Sequence, residues 1–459
     1  MTERSATQTE DFSVTHRSVF AIAAPMTLAF ISTPLVGLAD TWTIGQLSDA
    51  ALIGAIAIGG IIFDILFATM NFLRSGTTGL VAQAFGARRS REEAAILARA
   101  LILALGIGLL AILLQTPLLQ ASLWFIGGTE RVQEAVIVYF SVRILAAPLT
   151  LSNYAVLGYF LGRGEAMTGL ALQTVLNLTN IALNILFVLV FDWGVAGVAF
   201  ASVLGELVAL LLGLVLVWLR LRKSALENGG WPTRAEVLDR AELVRMMGVN
   251  RDIMIRSFAL LFAFATFTRL SAQQGEVVLA ANAILEKYFL LAGYFLDGMA
   301  TAAEQLVGRA VGARRRKPFV RAVKLCAFWS IIFSGFATGV FFLAGGALLD
   351  FMTPAEEIRE VGRQFLVFAS LTPIIGMGAF LMDGIYIGAT WSRDMRNMML
   401  ASLALFLVAA YTLTPAMGNT GLWLSLLLFL GARGITLGLI LPRRMDETFP
   451  QVRQSPATS

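Results

Sequence analysis

Gln173, Asn177, Asn180 and Asn184 follow one another at spacings of four, three and four, so a helix through them carries all four amides on one face. The stretch around them is apolar, and unbonded amides in hydrocarbon are costly. The stripe therefore meets either a watery pocket or other helices, where it would act as glue. Asp40 stands in the outer part of the first apolar stretch, after Pro25 and Pro34. Those prolines remove backbone donors and are expected to bend the helix around a cavity. A carboxylate there can exchange a proton or attract a cation; a solvated, inert acid near a helix end is the competing reading. Tyr139, Ser202 and Glu206, the last two four residues apart, are the residues expected to close one pocket with Asp40.

The second half has its own stripe. Asn282, Glu286, Asp297, Thr301 and Glu304 run along one apolar stretch at spacings of four, eleven, four and three, again on one helical face. Asn282 and Glu286 join Gln173, Asn177 and Glu206 as secondary cavity candidates. Asp383 and Arg433 are embedded too, and an arginine cannot shed its proton, so Arg433 needs an acid beside it: Asp297, Glu304 or Asp383. Each ionisable group in a span costs on the order of 3 kcal/mol unless paired or hydrated. For this second set a structural charge network is the reading adopted here.

These residues must be positioned by membrane helices. Hydrophobic residues make up 57% of the 459 and charged ones 14%, and the mean hydropathy is +0.76. No soluble core of this length could hide so much apolar surface. Stretches of about 20 apolar residues give twelve spans, starting near residues 18, 50, 95, 132, 166, 195, 246, 277, 320, 361, 395 and 420. The first is longer than a signal-peptide core and is read as a retained helix. Arg and Lys crowd the loops after spans 2, 6, 8 and 10, so those loops and both termini are expected on the cytoplasmic side. The same bias accounts for the net charge of +5, and no nucleic-acid partner needs to be invoked.

A single cysteine, Cys326, excludes an intrachain disulfide, and a single histidine, His16, lies in the polar tail before the first span. A Cys/His metal site or a histidine relay cannot be built from these, so no metal is expected. Walker A and His-Glu-x-x-His sequences are absent, which leaves no catalytic residues to nominate and no resident cofactor.

The chain is also written twice. Phe85-Gly86-Ala87-Arg88-Arg89 returns as Val311-Gly312-Ala313-Arg314-Arg315, and Leu80-Val81, Asn71 and Thr78 fall on Leu306-Val307, Asp297 and Glu304. Gly158 and Gly162 map to Gly384 and Gly388. A duplication of this extent implies two lobes with a site near their interface. The expected organisation is a polar tail (1–16), an N-lobe of spans 1–6 (17–222), a cytoplasmic linker (223–243), a C-lobe of spans 7–12 (244–442) and a cytoplasmic tail (443–459).

The stretch from Leu73-Arg74-Ser75-Gly76-Thr77-Thr78-Gly79 to Phe85-Gly86 resembles the second-helix signature of the DinF-type branch of the multidrug and toxic compound extrusion (MATE) transporters. Leu296-Asp297-Gly298 with Ala302-Ala303-Glu304-Gln305-Leu306-Val307-Gly308, and Asp383-Gly384-Ile385-Tyr386-Ile387-Gly388, look like its counterparts in helices 8 and 10. The likeness runs from about residue 17 to 442. It implies an all-α, V-shaped membrane protein of two pseudo-symmetric six-helix bundles, exporting cationic or amphipathic organic compounds in exchange for protons or sodium ions. By motif, the ion-coupling residues it implies are Asp40, Tyr139, Asn180, Asn184 and Ser202. Several relatives carry Asp where this chain has Asn184, and a pocket that loses one carboxylate suits a proton better than sodium. The resemblance also implies a monomer in the lipid bilayer of a bacterial inner membrane.

Two rivals have distinct signatures. A lipid-linked precursor flippase of the same superfamily should show a cationic cavity and often more than twelve spans, whereas the pocket candidates here are mostly amide and acidic. An integral-membrane enzyme should show a dense catalytic cluster at one interface, and the sequence has none.

Overall fold

A bilayer offers backbone N–H and C=O groups no hydrogen bonds, so a spanning segment must satisfy them internally. The computed structural model, which describes residues 12–47, 49–126, 129–228 and 231–450, is accordingly all-α, with no strand among the described residues. Among the described residues, twelve helices are long and apolar enough to cross a membrane. Spans 1–6 are His16–Gly45, Ala50–Gly86, Ser90–Leu113, Glu130–Gly162, Ala166–Val190 and Gly194–Lys223. Spans 7–12 are Arg234–Ala272, Glu276–Gly312, Arg316–Met352, Glu356–Gly388, Ser392–Met417 and Asn419–Thr448.

Several spans carry local irregularities. Span 1 runs through Pro25 and Pro34 as one helix. Beside the second proline, the hydroxyls of Ser32 and Thr33 donate to the Ala29 carbonyl at 2.7 and 3.4 Å. Span 2 is interrupted at Asn71, span 4 at a 3-10 turn over Ile144–Ala146, and span 5 ends in a π-turn over Leu186–Val190. The sequence reading missed a helix at Gln115–Ile126, too short to register as a span, and one turn in the linker at Arg234–Val237. It also misplaced His16. That residue opens span 1 instead of preceding it, and its Nδ1 accepts a 3.0 Å bond from Trp329 Nε1 of span 9.

The apolar cores show how the two lobes meet. One cluster joins both: Ala23 and Met26 of span 1, Phe72 of span 2 and Ile253 of span 7 with Met299 and Leu306 of span 8. Apart from Ala104, its members lie in the half of the spans next to the arginine-rich loops, the basic end. In the opposite half the core divides. Phe63, Tyr139 and Phe140 belong to an N-lobe cluster, and Phe267, Phe406 and Trp423 to a separate C-lobe cluster. Two bundles fused at one end and separate at the other enclose a cleft that opens away from the basic end.

The duplication is visible in the backbone. Three pairs 226 residues apart adopt the left-handed conformation: Arg88 and Arg314 (φ 57° and 52°), Gly164 and Thr390 (80° and 56°), Asp192 and Gly418 (57° and 60°). The first two pairs close helices with the same bonds, Arg89 N to Ala84 O and Arg315 N to Ala310 O, then Glu165 N to Phe160 O and Trp391 N to Tyr386 O. This wrap-around bond satisfies a carbonyl that the last turn leaves open.

Spans 2 and 8 cross at the floor of the cleft about a local two-fold axis. A Cβ on Gly86 would run into the Arg309 carbonyl, and one on Gly312 into the Gln83 carbonyl, the same contact seen from each lobe. Gln83 then reaches across to the C-lobe, its Nε2 donating to Gly388 O at 3.0 Å and its Oε1 accepting from Arg245 at 3.0 Å. A Gly312→Ala substitution is expected to lower stability by about 1–3 kcal/mol through overpacking, read as a lower melting temperature in detergent. Gly248→Ala, with open space at its Cβ, should leave the melting temperature equal or higher.

Candidate functional site

Asp40 is 9% exposed, so its carboxylate points into the N-lobe instead of toward head groups. Asn184 Nδ2 donates to Asp40 Oδ1 at 2.6 Å. The amide stripe of span 5 works as a row of clasps. Gln173 donates to Asn177 Oδ1 at 3.0 Å, Asn177 to Ser32 Oγ of span 1 at 2.9 Å, and Asn180 to Ser202 Oγ of span 6 at 2.9 Å. Pocket and glue, posed as alternatives by the sequence, divide the stripe between them. Gln173 and Asn177 tie span 5 to span 1, whereas Asn184, bonded to Asp40, and Asn180 one turn before it keep buried Oδ1 atoms without a bond. Those two oxygens can each accept a proton-bearing group or ligate a cation.

Tyr139 completes this pocket from span 4. Its ring occupies the space that Gly59 leaves and meets Phe63 edge-on at 5.9 Å. One turn further along stands Arg143, a residue the sequence reading passed over. Its guanidinium covers the rings of Phe63 and Phe67 at 5.6 and 5.2 Å and is within electrostatic reach of Asp40, Asp64 and Tyr139. Arg143 NH2 is 4.0 Å from Glu206 Oε1, a separation worth about 4 kcal/mol of attraction at an effective dielectric of ~20, before desolvation. Glu206 therefore belongs to a charge pair beside the pocket, held further by Asn153 Nδ2 at 2.7 Å.

The C-lobe residues divide differently. Asn282 does not line the cleft. It donates to Ser271 Oγ at 2.7 Å and to Asn419 Oδ1 at 2.8 Å, and its own oxygen accepts from Asn419 and Trp423 at 2.9 Å each. Every capacity of that amide is spent on joining spans 7, 8 and 12. Glu286 keeps a buried Oε1 without a bond. Of the three acids open to Arg433, Asp383 is the partner, accepting from Arg433 NH2 at 2.6 Å. Its Oδ2 also accepts from Arg256 of span 7. Glu304 instead faces the other lobe, 4.0 Å from Arg74 NH1 of span 2. Asp297, which is exposed, is in electrostatic reach of Arg74, Arg256, Asp383 and Arg433.

Beside the amide and acidic candidates, Arg74, Arg143, Arg256 and Arg433 also stand within the spanning helices. The rule applied to Asp40 and Asp383, that an ionisable residue inside a span is a candidate by default, would also have found Asp64, Arg143 and Arg256. Each of these four arginines has an acid within reach, so the charge they bring to the interior is paired.

The family profile described as MatE matches residues 25–186 and 253–412, one match in each lobe. The chain is 36% identical to DNA damage-inducible protein F of Escherichia coli (strain K12) over 427 residues, covering 93% of this chain and 92% of that protein. The fold is similar to the bent form of the MATE transporter VcmN of Vibrio cholerae, with a TM-score of 0.83 at 20% identity over 95% of this chain and 98% of that one. It is equally similar to a Pyrococcus furiosus transporter of the MOP superfamily, described as having a binding pocket of reverse polarity, with a TM-score of 0.83 at 18% identity over 94% and 96%.

Removing Asp383 would strand two guanidiniums in a low-dielectric interior. Asp383→Ala is expected to cost about 3–5 kcal/mol, seen as a large drop in melting temperature. Asp350→Ala, which breaks an exposed pair with Arg363 at 2.6 Å, should cost no more than about 1 kcal/mol.

Proposed function

The chain belongs to the MatE family of multidrug efflux transporters, and on that footing we propose that it exports organic cations and cationic amphiphiles in exchange for protons, with Asp40 as the exchanging group. It is a multi-pass membrane transporter and not an enzyme. The observation that carries the choice of ion is Arg143 within reach of Asp40, combined with Asn184 where several relatives carry a second acid.

A sodium ion needs several oxygen ligands and gains from surplus negative charge. Asp40 and the two open amide oxygens would supply three ligands of which only one is charged, and the Arg143 guanidinium is within reach of that one. A proton needs only one carboxylate sheltered from water, and once bound it gives Asp40 a donor for which the open oxygens of Asn180 and Asn184 are acceptors.

The cycle follows from competition for one charge. With the basic end in the cytoplasm, as the positive-inside bias favours, the cleft described above opens outward in a bacterial inner membrane. Ionised Asp40, together with Asp64 and Glu206, outnumbers Arg143 and favours a cationic cargo. A proton arriving from outside neutralises Asp40, weakens the hold on the cargo and releases it. After the lobes rock, Asp40 gives the proton to the cytoplasm and the attraction returns. Because proton and cargo stabilise the same carboxylate, each disfavours the other, as exchange requires. The protein works as a monomer with small molecules and lipid as its only partners, and it needs no cofactor.

A flippase for anionic head groups would require arginines free of acids, and the pairing of Arg74, Arg256 and Arg433 favours the cation reading instead. In vesicles, a pH gradient should drive exchange of a fluorescent organic cation such as ethidium, a sodium gradient alone should not, and Asp40→Asn should lower the rate at least tenfold. Wild-type rates in that variant would remove Asp40 from the mechanism. Asn184→Asp should introduce a response to sodium.

A further inference from the structure

Asp297 is solvent-exposed, and the charged groups within electrostatic reach of it come from both lobes, which places it where the lobes face each other. Among the described residues its carboxylate makes no hydrogen bond or close ion pair. Tyr294, one turn before it, is within electrostatic reach of both Asp297 and Asp64 of the opposite lobe, so this wall faces across the cleft.

The groups around Asp297 come from five spans. Arg74 belongs to span 2, Arg256 to span 7, Glu304 to the same helix, Asp383 to span 10 and Arg433 to span 12. No titratable group of span 1, which also packs on span 8, is among them. On the C-lobe side two guanidiniums stand against three carboxylates, which leaves one net negative charge facing Arg74 of the N-lobe. Arg74 NH1 has no hydrogen bond, although Glu304 lies 4.0 Å away. What joins Arg74 to span 8 is therefore charge and not a fixed hydrogen bond. A single proton on Asp297 cancels the net charge that Arg74 meets.

We propose that Asp297 is a second proton-binding site, on the C-lobe wall of the cleft, and that its occupancy sets how firmly Arg74 holds span 8 at the cleft floor. With Asp297 ionised, the lobes are drawn together at the basic end and the cleft stays open at the other. With Asp297 protonated, the attraction across the floor falls and the basic end is free to part. The proton enters and leaves as H+ and no covalent bond is formed. The inference rests on the proton exchange proposed above, but not on Asp40 being its acceptor.

The test uses the full-length protein in phosphatidylethanolamine–phosphatidylglycerol vesicles, with spin labels on Met167→Cys and Arg393→Cys, two exposed positions at the basic end of opposite lobes. The native Cys326 is buried and should not take label. As the pH falls from 8 to 5, the distance distribution should move toward a wider basic end. Asp297→Asn should be widened already at pH 8 and lose at least half of the pH-dependent change, and Asp297→Glu should restore it. Arg74→Gln should behave like Asp297→Asn, so the test stands if one variant fails to assemble. Asp40→Asn should keep the pH response of the distances while losing exchange, which separates the two sites. A wild-type pH response in both Asp297→Asn and Arg74→Gln, or no response in the unmodified protein, overturns the proposal.

Discussion

A guanidinium inside a bilayer must meet a carboxylate, and that requirement decides which helices of this protein lie side by side. Desolvating an ion costs several kcal/mol, and the attraction offsets this only at close range. Asp383 gathers Arg256 and Arg433 and so binds spans 7, 10 and 12. Glu304 and Arg74 bring span 8 of one lobe to span 2 of the other. Arg143 and Glu206 do the same for spans 4 and 6. Amides finish the work where charge is absent, as with Asn282 between spans 7 and 12.

Around these fixed points the scaffold is duplicated, but the chemistry is not. At the 226-residue offset, Asp40 corresponds to Thr266, Asn180 to Phe406 and Asn184 to Ala410. Phe406 and Ala410 lie in the apolar core of the C-lobe, so the second lobe has no counterpart of the Asp40 pocket. Conversely Asp297 corresponds to Asn71, Glu304 to Thr78 and Arg256 to Phe30. Backbone symmetry supplies two similar rigid bodies meeting on a two-fold crossing of spans 2 and 8. Divergent side chains give each body a different electrostatic task.

The division of the core suits motion. Apolar clusters confined to one lobe survive a change in the angle between lobes, and only the shared cluster at the basic end must be rebuilt. The linker is partly committed to one side. Arg99, 2% exposed, donates to Glu236 O at 2.5 Å and Val237 O at 3.1 Å, so the turn at Arg234–Val237 rides with the N-lobe. Past that turn the long helix of span 7 runs from Arg240 to Ala272, with Asp239 capping Ala241 and Glu242. The boundary at Leu238–Asp239 is where the lobes part company along the chain.

Hydropathy, period and repetition made the membrane class, the twelve spans and the two lobes legible from the residues alone, because each depends only on near neighbours along the chain and on the solvent. The same local logic placed Asp40 and the amides of span 5 on helical faces that could not be left to lipid. It could not say which of three acids would meet Arg433, that Glu304 would look across to Arg74, or that Asn282 would be consumed within its own lobe. Charge pairing acts over a few ångströms between helices far apart in sequence, and which groups come that close is settled only when the helices pack.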